Sequence, residues 1–381
     1  MPPAPITLSP QTGAIAAVTL TLPAWWRPLL ALLLVLLLAG CDRESRSTSP
    51  APVRELVFYS WAEDLPPSLL EAFTAETGVK VVYRTYQATE EAVRSIRSGS
   101  VYDVAVIENQ FIPELATDGL LAELDHRSIP NLAHLSENFR ELVFDPGNRY
   151  SVTFNWGLTG LVVRDDLTPG QVTRWADLWD ERFAGRIRVW DLQRTLVGIA
   201  LKSLGYSANS ENPTELEAAL ERLIQLKTRA RTSGYVPDLA EQALADGRTA
   251  LMLGYAGDLL RGRNRGLTVS FVVPAEGSIQ WIDNFVIPAA SPNKALAERF
   301  IDFMLRPENS ARIVNEQHYP TANSAATPFI RPEFLNDPVL FPPPREMLRA
   351  EVLMPLSPAG TQLHEQIWQR YLAAPGLTAE H

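Results

Sequence analysis

Cysteine is almost missing from this sequence, because Cys41 is the only one in 381 residues. A single cysteine cannot form an intramolecular disulfide, so the folded part of the chain depends on its hydrophobic cores. Histidine is also scarce, and none of the five histidines stands in a metal-ligand or zinc-protease spacing. The sequence has no G-x-S-x-G, P-loop or G-x-G-x-x-G motif either. It therefore indicates no cofactor, no metal centre and no enzyme of a recognisable class.

An excess of basic residues is lacking as well. The chain has 34 Lys and Arg against 44 Asp and Glu, which gives a formal net charge of −10. No basic stripe is present to neutralise phosphates, so nucleic acid is not expected as a partner. Paired carboxylates could still act as acid and base in a hydrolase. That signal alone is weak in a chain so rich in acids.

The first forty residues are typical of an export signal. Arg27 is their only charged residue, and the apolar run 28–38 that follows is short. A membrane-spanning helix needs about 20 such residues. The segment Leu38-Ala39-Gly40-Cys41 resembles a bacterial lipobox, whose cysteine is lipidated and becomes the mature N-terminus. We predict a signal peptide over 1–40, a lipidated Cys41 and a flexible tether over 41–54; the alternative is an uncleaved anchor.

From residue 55 onward, apolar runs with strand character alternate with helical patterns. Strands are predicted over about 55–60, 80–86 and 102–107, with helices between them, which favours a mostly parallel, doubly wound sheet. A second α/β region follows from about residue 160. Thr89 is expected to cap the helix over 90–98, and Asn212 to cap the one that begins at Pro213.

Aromatic residues stand next to acids at three predicted strand ends. Trp61 precedes Glu63 and Asp64 in FYSWAED, and the same combination recurs in YAGD and WID. Ligands of open α/β sheets bind outside the carboxyl ends of strands. Carboxylates accept charge-assisted hydrogen bonds from ammonium groups, and aromatic faces attract cations and cover methylene chains. The pattern predicts a site for an organic cation; the alternative is that the aromatic residues belong to the core and the acids are solvated.

The sequence resembles the periplasmic spermidine/putrescine-binding proteins of ABC transporters over about residues 55–370. Two of the matching segments, GYAGD and NSAATP, are closer to the putrescine-binding branch. The matching segments, in chain order, are FYSWAEDLPPSLLEAFTAETGVKVVY, YDVAV, SVTFNWG, GYAGD, VSFVVPAEGSIQWIDNFVIP, FMLRPENSARI and YPTANSAATP.

The resemblance implies an α/β, two-lobed periplasmic-binding-protein fold of type II, with a ligand cleft between the lobes. Lobe 1 would comprise 55–152 plus 284–335, and lobe 2 would comprise 156–280 plus 336–377. The chain would cross between them near Thr153-Phe154-Asn155, which is expected to act as a hinge.

The ligand residues implied by the resemblance are of two kinds. Trp61, Tyr255, Trp281 and Tyr319 would pack against the aliphatic chain of the ligand. Asp283, Asp258 and Glu63 would neutralise its ammonium groups. Six of them match ligand positions of the family, with Tyr255 in place of a tryptophan and Asp258 as in the putrescine branch, and Glu63 takes a position that is usually acidic.

Three positions depart from the family pattern. Thr195 stands where the family has an acid in lobe 2, whereas Asp64 and Glu108 are acids where the family has a tyrosine and a small hydroxyl residue. Asp64 and Glu108 are therefore either solvated loop acids or parts of a rearranged amine pocket. The second alternative suggests a changed ligand, such as agmatine.

The function implied is that of a periplasmic, membrane-anchored lipoprotein that captures a polyamine and delivers it to an inner-membrane ABC permease. The protein is expected to be a monomer without a cofactor. Two alternatives stay open: a lipoprotein that senses amines and signals to a partner, and a hydrolase with paired carboxylates.

Overall fold

The structure is a computed structural model that describes residues 54–377. The predicted signal peptide, Cys41 and all of the tether except Arg54 lie outside the described residues. Within residues 54–377, no helix is both long and apolar enough to cross a membrane. The strands of this part are β1 (Glu55–Trp61), β2 (Lys80–Tyr86), β3 (Val104–Glu108), β4 (Ser151–Arg164), β5 (Ile187–Trp190), β6 (Ala230–Ser233), β7 (Leu251–Gly254), β8 (Val269–Val272), β9 (Ile279–Val286) and β10 (Glu351–Val352).

Helices alternate with these strands, and short 3-10 turns occupy much of the segment between β3 and β4. The α-helices of the described residues are α1 (Pro67–Thr77), α2 (Thr89–Arg97), α3 (Ile112–Thr117), α4 (Gln193–Ser203), α5 (Pro213–Lys227), α6 (Pro237–Ala245), α7 (Ala256–Asn264), α8 (Lys294–Met304), α9 (Pro307–Gln317), α10 (Pro332–Leu335), α11 (Pro344–Met347) and α12 (Pro358–Ala373).

The strands pair in the order β2-β1-β3-β9-β4-β7-β5-β6, with β10 beside β9 and β8 beside β4. Pairing is parallel among β1–β3 and among β5–β7, as the alternation of strands and helices predicted. The prediction of a mostly parallel sheet is wrong for the centre, where β9 runs antiparallel to both β3 and β4. The fold is a mixed α/β fold with helices packed on its sheets.

Two hydrophobic cores lie on either side of this antiparallel centre. The first core packs around β1 and β3 and includes Phe58, Phe285 and Phe300, and the second packs around β5 and β7 and includes Trp175 and Trp190. Strand β4 joins the two, since its first half pairs with β9 and its second half pairs with β7 and β8. All fourteen residues of β4 are buried. The fold therefore has two lobes that share a central strand.

Local sequence signals explain several helix ends. Asn212 caps α5 as predicted, because its Oδ1 accepts hydrogen bonds from the backbone N–H groups of Thr214 and Glu215. Gly78 ends α1 in the left-handed conformation, with φ of 70°. The predicted cap at Thr89 is wrong: α2 begins at Thr89, and Ala88 holds the capping position without a side-chain hydrogen bond.

Candidate ligand-binding site

A cavity lies at the junction of the two cores. Trp61, at the end of β1, packs against both cores and forms part of its wall. Residues from both lobes and from the shared strands contribute to the lining, which consists of Trp61, Ala62, Asp64, Glu108, Asn155, Tyr235, Tyr255, Trp281, Asp283 and Tyr319.

A polar row crosses three neighbouring strands at the cavity. Glu108 of β3 lies directly opposite Asp283 of β9, and Asp283 lies directly opposite Asn155 of β4. Residues that are directly opposite in antiparallel strands project from the same face of the sheet, with Cβ atoms about 5 Å apart. The sheet register therefore holds two carboxylates and an amide side by side.

Asp64 joins this row from the loop after β1. Its side chain is only 3 % exposed. The Nδ2 group of Asn155 donates a hydrogen bond to Asp64 Oδ1 at 3.1 Å, and the hydroxyl of Ser60 donates to Asp64 Oδ2. The backbone N–H of Asp64 donates to the hydroxyl of Tyr83 at 3.1 Å, which fixes the loop. We refer to Asp64, Glu108, Asn155 and Asp283 as the acidic end of the cavity.

The carboxyls of the acidic end are difficult to ionise without a cation. Burial raises the pKa of Asp64 to about 6 and that of Glu108 to about 7. Burial also raises the pKa of Asp283 well above its ordinary value, and the neighbouring Asp64 and Glu108 raise it further. Like charges close together in a desolvated site cannot all be negative at once. A bound cation removes this repulsion.

Aromatic rings form the remaining walls. Tyr255 meets Tyr235 at 5.1 Å and Trp281 at 5.9 Å between ring centroids, in edge-to-face geometry. Trp281 meets Tyr319 in the same geometry at 5.7 Å. Gly157 makes room for Trp281, because a Cβ atom there would lie 2.4 Å from Trp281 Cζ2. These rings offer faces and edges that can cover a methylene chain.

Several polar atoms of the cavity residues have no hydrogen-bond partner. Among residues 54–377, the buried atoms without one include Asp283 Oδ1, Asn155 Oδ1 and Trp281 Nε1. An unpartnered buried polar group costs about 1–3 kcal/mol. Asp283 Oδ1 and Asn155 Oδ1 are hydrogen-bond acceptors at the acidic end, so the site is suited to a ligand that donates hydrogen bonds.

The chemistry of the lining favours an organic cation over a metal ion. Within residues 54–377, no three His, Cys, Asp or Glu side chains are placed to hold a metal. Aromatic walls attract an organic ammonium or guanidinium by about 0.5–2 kcal/mol per contact. The carboxylates supply the charge-assisted acceptors that such a ligand requires.

Seven of the ten predicted site residues line the cavity: Trp61, Asp64, Glu108, Tyr255, Trp281, Asp283 and Tyr319. The structure does not place the other three there. Glu63 is exposed and has a positive φ of 59°. Thr195 lies in the first turn of α4 and is buried. Asp258 is completely buried and is hydrogen-bonded to its own helix and to Tyr235.

Ala62, Asn155 and Tyr235 line the cavity but were not predicted as site residues. The sequence predicted Asn155 only as part of the hinge between the lobes. Its pairing with Asp283 depends on the register of strands that are distant in sequence. Tyr235 follows β6, whose sequence ARTS has no apolar run that marks a strand. Had β6 been recognised, the rule for carboxyl ends of parallel strands would have pointed to Tyr235.

Two lobes that share a central strand, with an acidic and aromatic cavity between them, define a solute-binding protein. Comparison with known proteins makes the assignment specific. The chain belongs to the family described as bacterial extracellular solute-binding protein, which it matches over residues 68–342. The fold and relatives of this family are those of transport proteins that bind solutes, not of enzymes.

Individual relatives agree with this assignment. The chain is 33 % identical to the spermidine/putrescine-binding periplasmic protein of Escherichia coli over 321 residues, which cover 84 % of this chain and 91 % of the relative. It is 30 % identical to the putrescine/agmatine-binding protein of Pseudomonas aeruginosa over 338 residues, which cover 82 % and 90 %. The solved structure of a putative spermidine/putrescine ABC transporter from Listeria monocytogenes superimposes with a TM-score of 0.79 at 28 % identity. The match covers 84 % of this chain and 100 % of that chain.

Proposed function

We propose that this protein captures a small polyamine outside the cytoplasm and delivers it to an ABC permease. The observation that carries the proposal is the acidic end, where three buried or half-buried carboxylates meet inside an aromatic cavity. Relatives that bind spermidine, putrescine or agmatine by name support the same ligand class.

Electrostatics explains why the ligand must be a cation. Burial raises the pKa of Asp64, Glu108 and Asp283 in the empty cavity, and Asp64 and Glu108 raise the pKa of Asp283 further. An ammonium or guanidinium group relieves this repulsion and donates hydrogen bonds to acceptors such as Asp283 Oδ1. Hydrogen bonds to charged groups contribute about 1.5–3 kcal/mol each. A neutral ligand can donate hydrogen bonds but does not relieve the repulsion.

Closure of the two lobes on the ligand is the second part of the proposal. Lobe 1 would comprise 55–152 plus 284–335 and lobe 2 would comprise 156–280 plus 336–377, with β4 as one hinge strand. The contact between Gln87 and Gly234 supports a closed form, because a Cβ atom on Gly234 would lie 2.3 Å from Gln87 Oε1. Ligand that contacts both lobes favours the closed state through its differential affinity.

Membrane attachment through a lipidated Cys41 is the third part, and it rests on the sequence Leu38-Ala39-Gly40-Cys41. Residues 42–54 would act as a flexible tether for a monomeric binding protein. Replacement of Cys41 by serine should move the protein from the membrane fraction to the soluble periplasmic fraction. An unchanged distribution would contradict lipidation at this residue. Size-exclusion chromatography of the soluble chain should show a monomer.

Calorimetry on the soluble chain without residues 1–41 tests the ligand class. Putrescine, spermidine and agmatine are titrated separately, and at least one of them should bind tightly. The matched control is the variant Asp283→Asn, which keeps the shape of the side chain but removes its charge. Absence of heat with all three amines would overturn the polyamine assignment. Loss of polyamine uptake in a deletion strain separates delivery from sensing.

A further inference from the structure

The loop between β2 and α2 reaches from the first core to the second. Tyr86, the last residue of β2, is buried in the first core, and its ring lies 4.8 Å from that of Trp61 between centroids. Two residues further on, Ala88 packs against the second core. The backbone N–H of Gln87 donates a hydrogen bond to Glu91 Oε2 at 3.1 Å, which holds the loop against the start of α2. This loop of lobe 1 therefore touches lobe 2.

Gly234 faces this loop from the other lobe. It follows β6 and precedes Tyr235, which lines the cavity. A Cβ atom on Gly234 would lie 3.2 Å from Gln87 Cβ and closer still to Gln87 Oε1, and its three nearest neighbours would all be atoms of Gln87. Gly234 does not have a positive φ, so its backbone conformation alone does not require glycine. The close approach of Gln87 requires it instead. We call Gln87 and Gly234 the closure contact.

A second contact between the lobes lies at the start of α2. Glu90, in the first turn of α2, lines a groove together with Gln193 and Arg194, which belong to the first turn of α4 in lobe 2. Arg194 is only 7 % exposed, and its Nε has no hydrogen-bond partner within residues 54–377. Burial lowers the pKa of Arg194 to about 10, and the carboxylate of Glu90 partly offsets this effect. Opposite charges of the two lobes thus lie together at this groove.

The closure contact lies beside the cavity but outside its lining. Trp61 of lobe 1 and Tyr235 of lobe 2 are both walls of the cavity, and their rings meet edge to face at 6.4 Å between centroids. Tyr86, which touches Trp61, is the sequence neighbour of Gln87, and Tyr235 is the sequence neighbour of Gly234. We therefore expect a separation of Gln87 from Gly234 to move these two walls apart.

We propose that Gln87 and Gly234 are positioning residues for ligand capture, because the cavity closes fully only when Gln87 can seat against the bare backbone of Gly234. The two residues touch no ligand themselves. They determine how long a bound amine stays, since release requires the lobes to separate. The inference rests on the proposed function, because it assigns the contact that controls release of the same ligand.

The variant Gly234→Val tests this role by adding volume where Gln87 must seat. Binding of putrescine, spermidine and agmatine is followed in stopped flow by the fluorescence of the cavity tryptophans. Amine dissociation should become faster by about tenfold or more while association changes little, because affinity changes of this kind lie mostly in the dissociation rate. Addition of Gln87→Gly removes the obstructing side chain and should restore slow dissociation. Ala245→Val, at an exposed position at the end of α6, is the control and should leave both rates unchanged.

A disulfide across the closure contact gives a second test. The distance of 3.2 Å between Gln87 Cβ and a Cβ atom on Gly234 is close to the roughly 3.5–4.5 Å found in disulfides. Gln87→Cys and Gly234→Cys are combined in the soluble chain without residues 1–41, which has no other cysteine. Oxidised glutathione should join the two thiols, and amine bound beforehand should then dissociate more slowly by about a hundredfold until dithiothreitol is added. Gln87→Cys alone is the matched control, since it has no partner cysteine.

These outcomes separate the two proposals. If no amine binds the unaltered chain, the proposed function fails and this inference fails with it. If amine binds, but Gly234→Val releases it at the normal rate or Gln87→Gly does not restore slow release, the proposed function stands and this inference alone is refuted. If Gly234→Val does not fold, the cysteine pair decides the question: no disulfide, or equally fast release from the oxidised and the reduced pair, would overturn the inference.

Discussion

The free energy of unfolding of the empty protein should fall as pH rises, because Asp64 is buried among other acids. Burial raises the pKa of Asp64 from 3.8 to about 6 in the folded chain. The unfolded chain therefore releases its proton at lower pH than the folded chain does. Stability from this group is fully present below about pH 4 and is lost as pH rises through about 6. Carboxylates in ion pairs have the opposite dependence.

The magnitude follows from the same two values. A pKa difference of one unit corresponds to about 1.4 kcal/mol, so the change from 3.8 to about 6 amounts to about 3 kcal/mol in total. Roughly half of this loss falls between about pH 5 and about pH 8. The variant Asp64→Asn keeps one of the two acceptor oxygens that Ser60 and Asn155 use but cannot ionise, so it should lack this component.

Urea unfolding of the soluble chain at about pH 5 and about pH 8 measures the effect. The unaltered chain should lose roughly 1.5 kcal/mol more than Asp64→Asn over this interval. Glu71→Gln, at an exposed position on α1, is the control and should behave like the unaltered chain. Saturating ligand should reduce the loss, because it binds the ionised form. Equal pH dependence in the unaltered chain and Asp64→Asn would refute the reasoning.

Three further predictions concern the cavity. Asp283→Asn should weaken amine binding by about 2–5 kcal/mol in calorimetry, and an unchanged affinity would show that Asp283 does not pair with the ligand. Gly157→Ala should displace Trp281 and lower the free energy of unfolding by about 1–3 kcal/mol, with a parallel loss of affinity; a fully stable variant with normal affinity would contradict the close contact at 2.4 Å. Amine affinity should rise between about pH 5 and about pH 8 with release of protons on binding, since Glu108 has a pKa of about 7 in the empty site. Proton release would be excluded if the affinity were the same at both pH values and the heat of binding were the same in buffers of different ionisation enthalpy.

Much of the fold could be predicted from local sequence signals. The predicted β1 and β2 agree with the structure within two residues, because apolar runs mark them directly. Helix α5 begins at Pro213 as predicted, because Asn212 caps it. Strand β6 was missed because it is short and polar. The antiparallel centre was also missed, since nothing in the local sequence of β9 records that it lies between β3 and β4.

Candidate site residues could be predicted where they are neighbours in the sequence. They could not be predicted where their position depends on the register of paired strands. Aromatic residues beside acids pointed to Trp61 and Asp283, which both line the cavity, but the predicted strand end at Asp283 is wrong because this residue lies within β9. The sequence could not decide whether Asp64 and Glu108 face the cavity, because their orientation depends on pairing with Asn155 and Asp283 across distant strands. The ion pair of Asp258 and Arg261 joins residues three apart on α7, but the burial of Asp258 behind Tyr235 depends on tertiary packing.

The position of β9 has a consequence for how the protein acquires its activity. Strand β9 lies between β3 and β4 in the sheet, although it comes long after both of them in the sequence. Until β9 is inserted, Glu108 and Asn155 have no strand between them to align their side chains, and Trp281 and Asp283 are not in place. Contacts so distant in sequence form slowly. Amine recognition therefore requires contacts between residues far apart in sequence, and ligand capture during refolding would report when these contacts form.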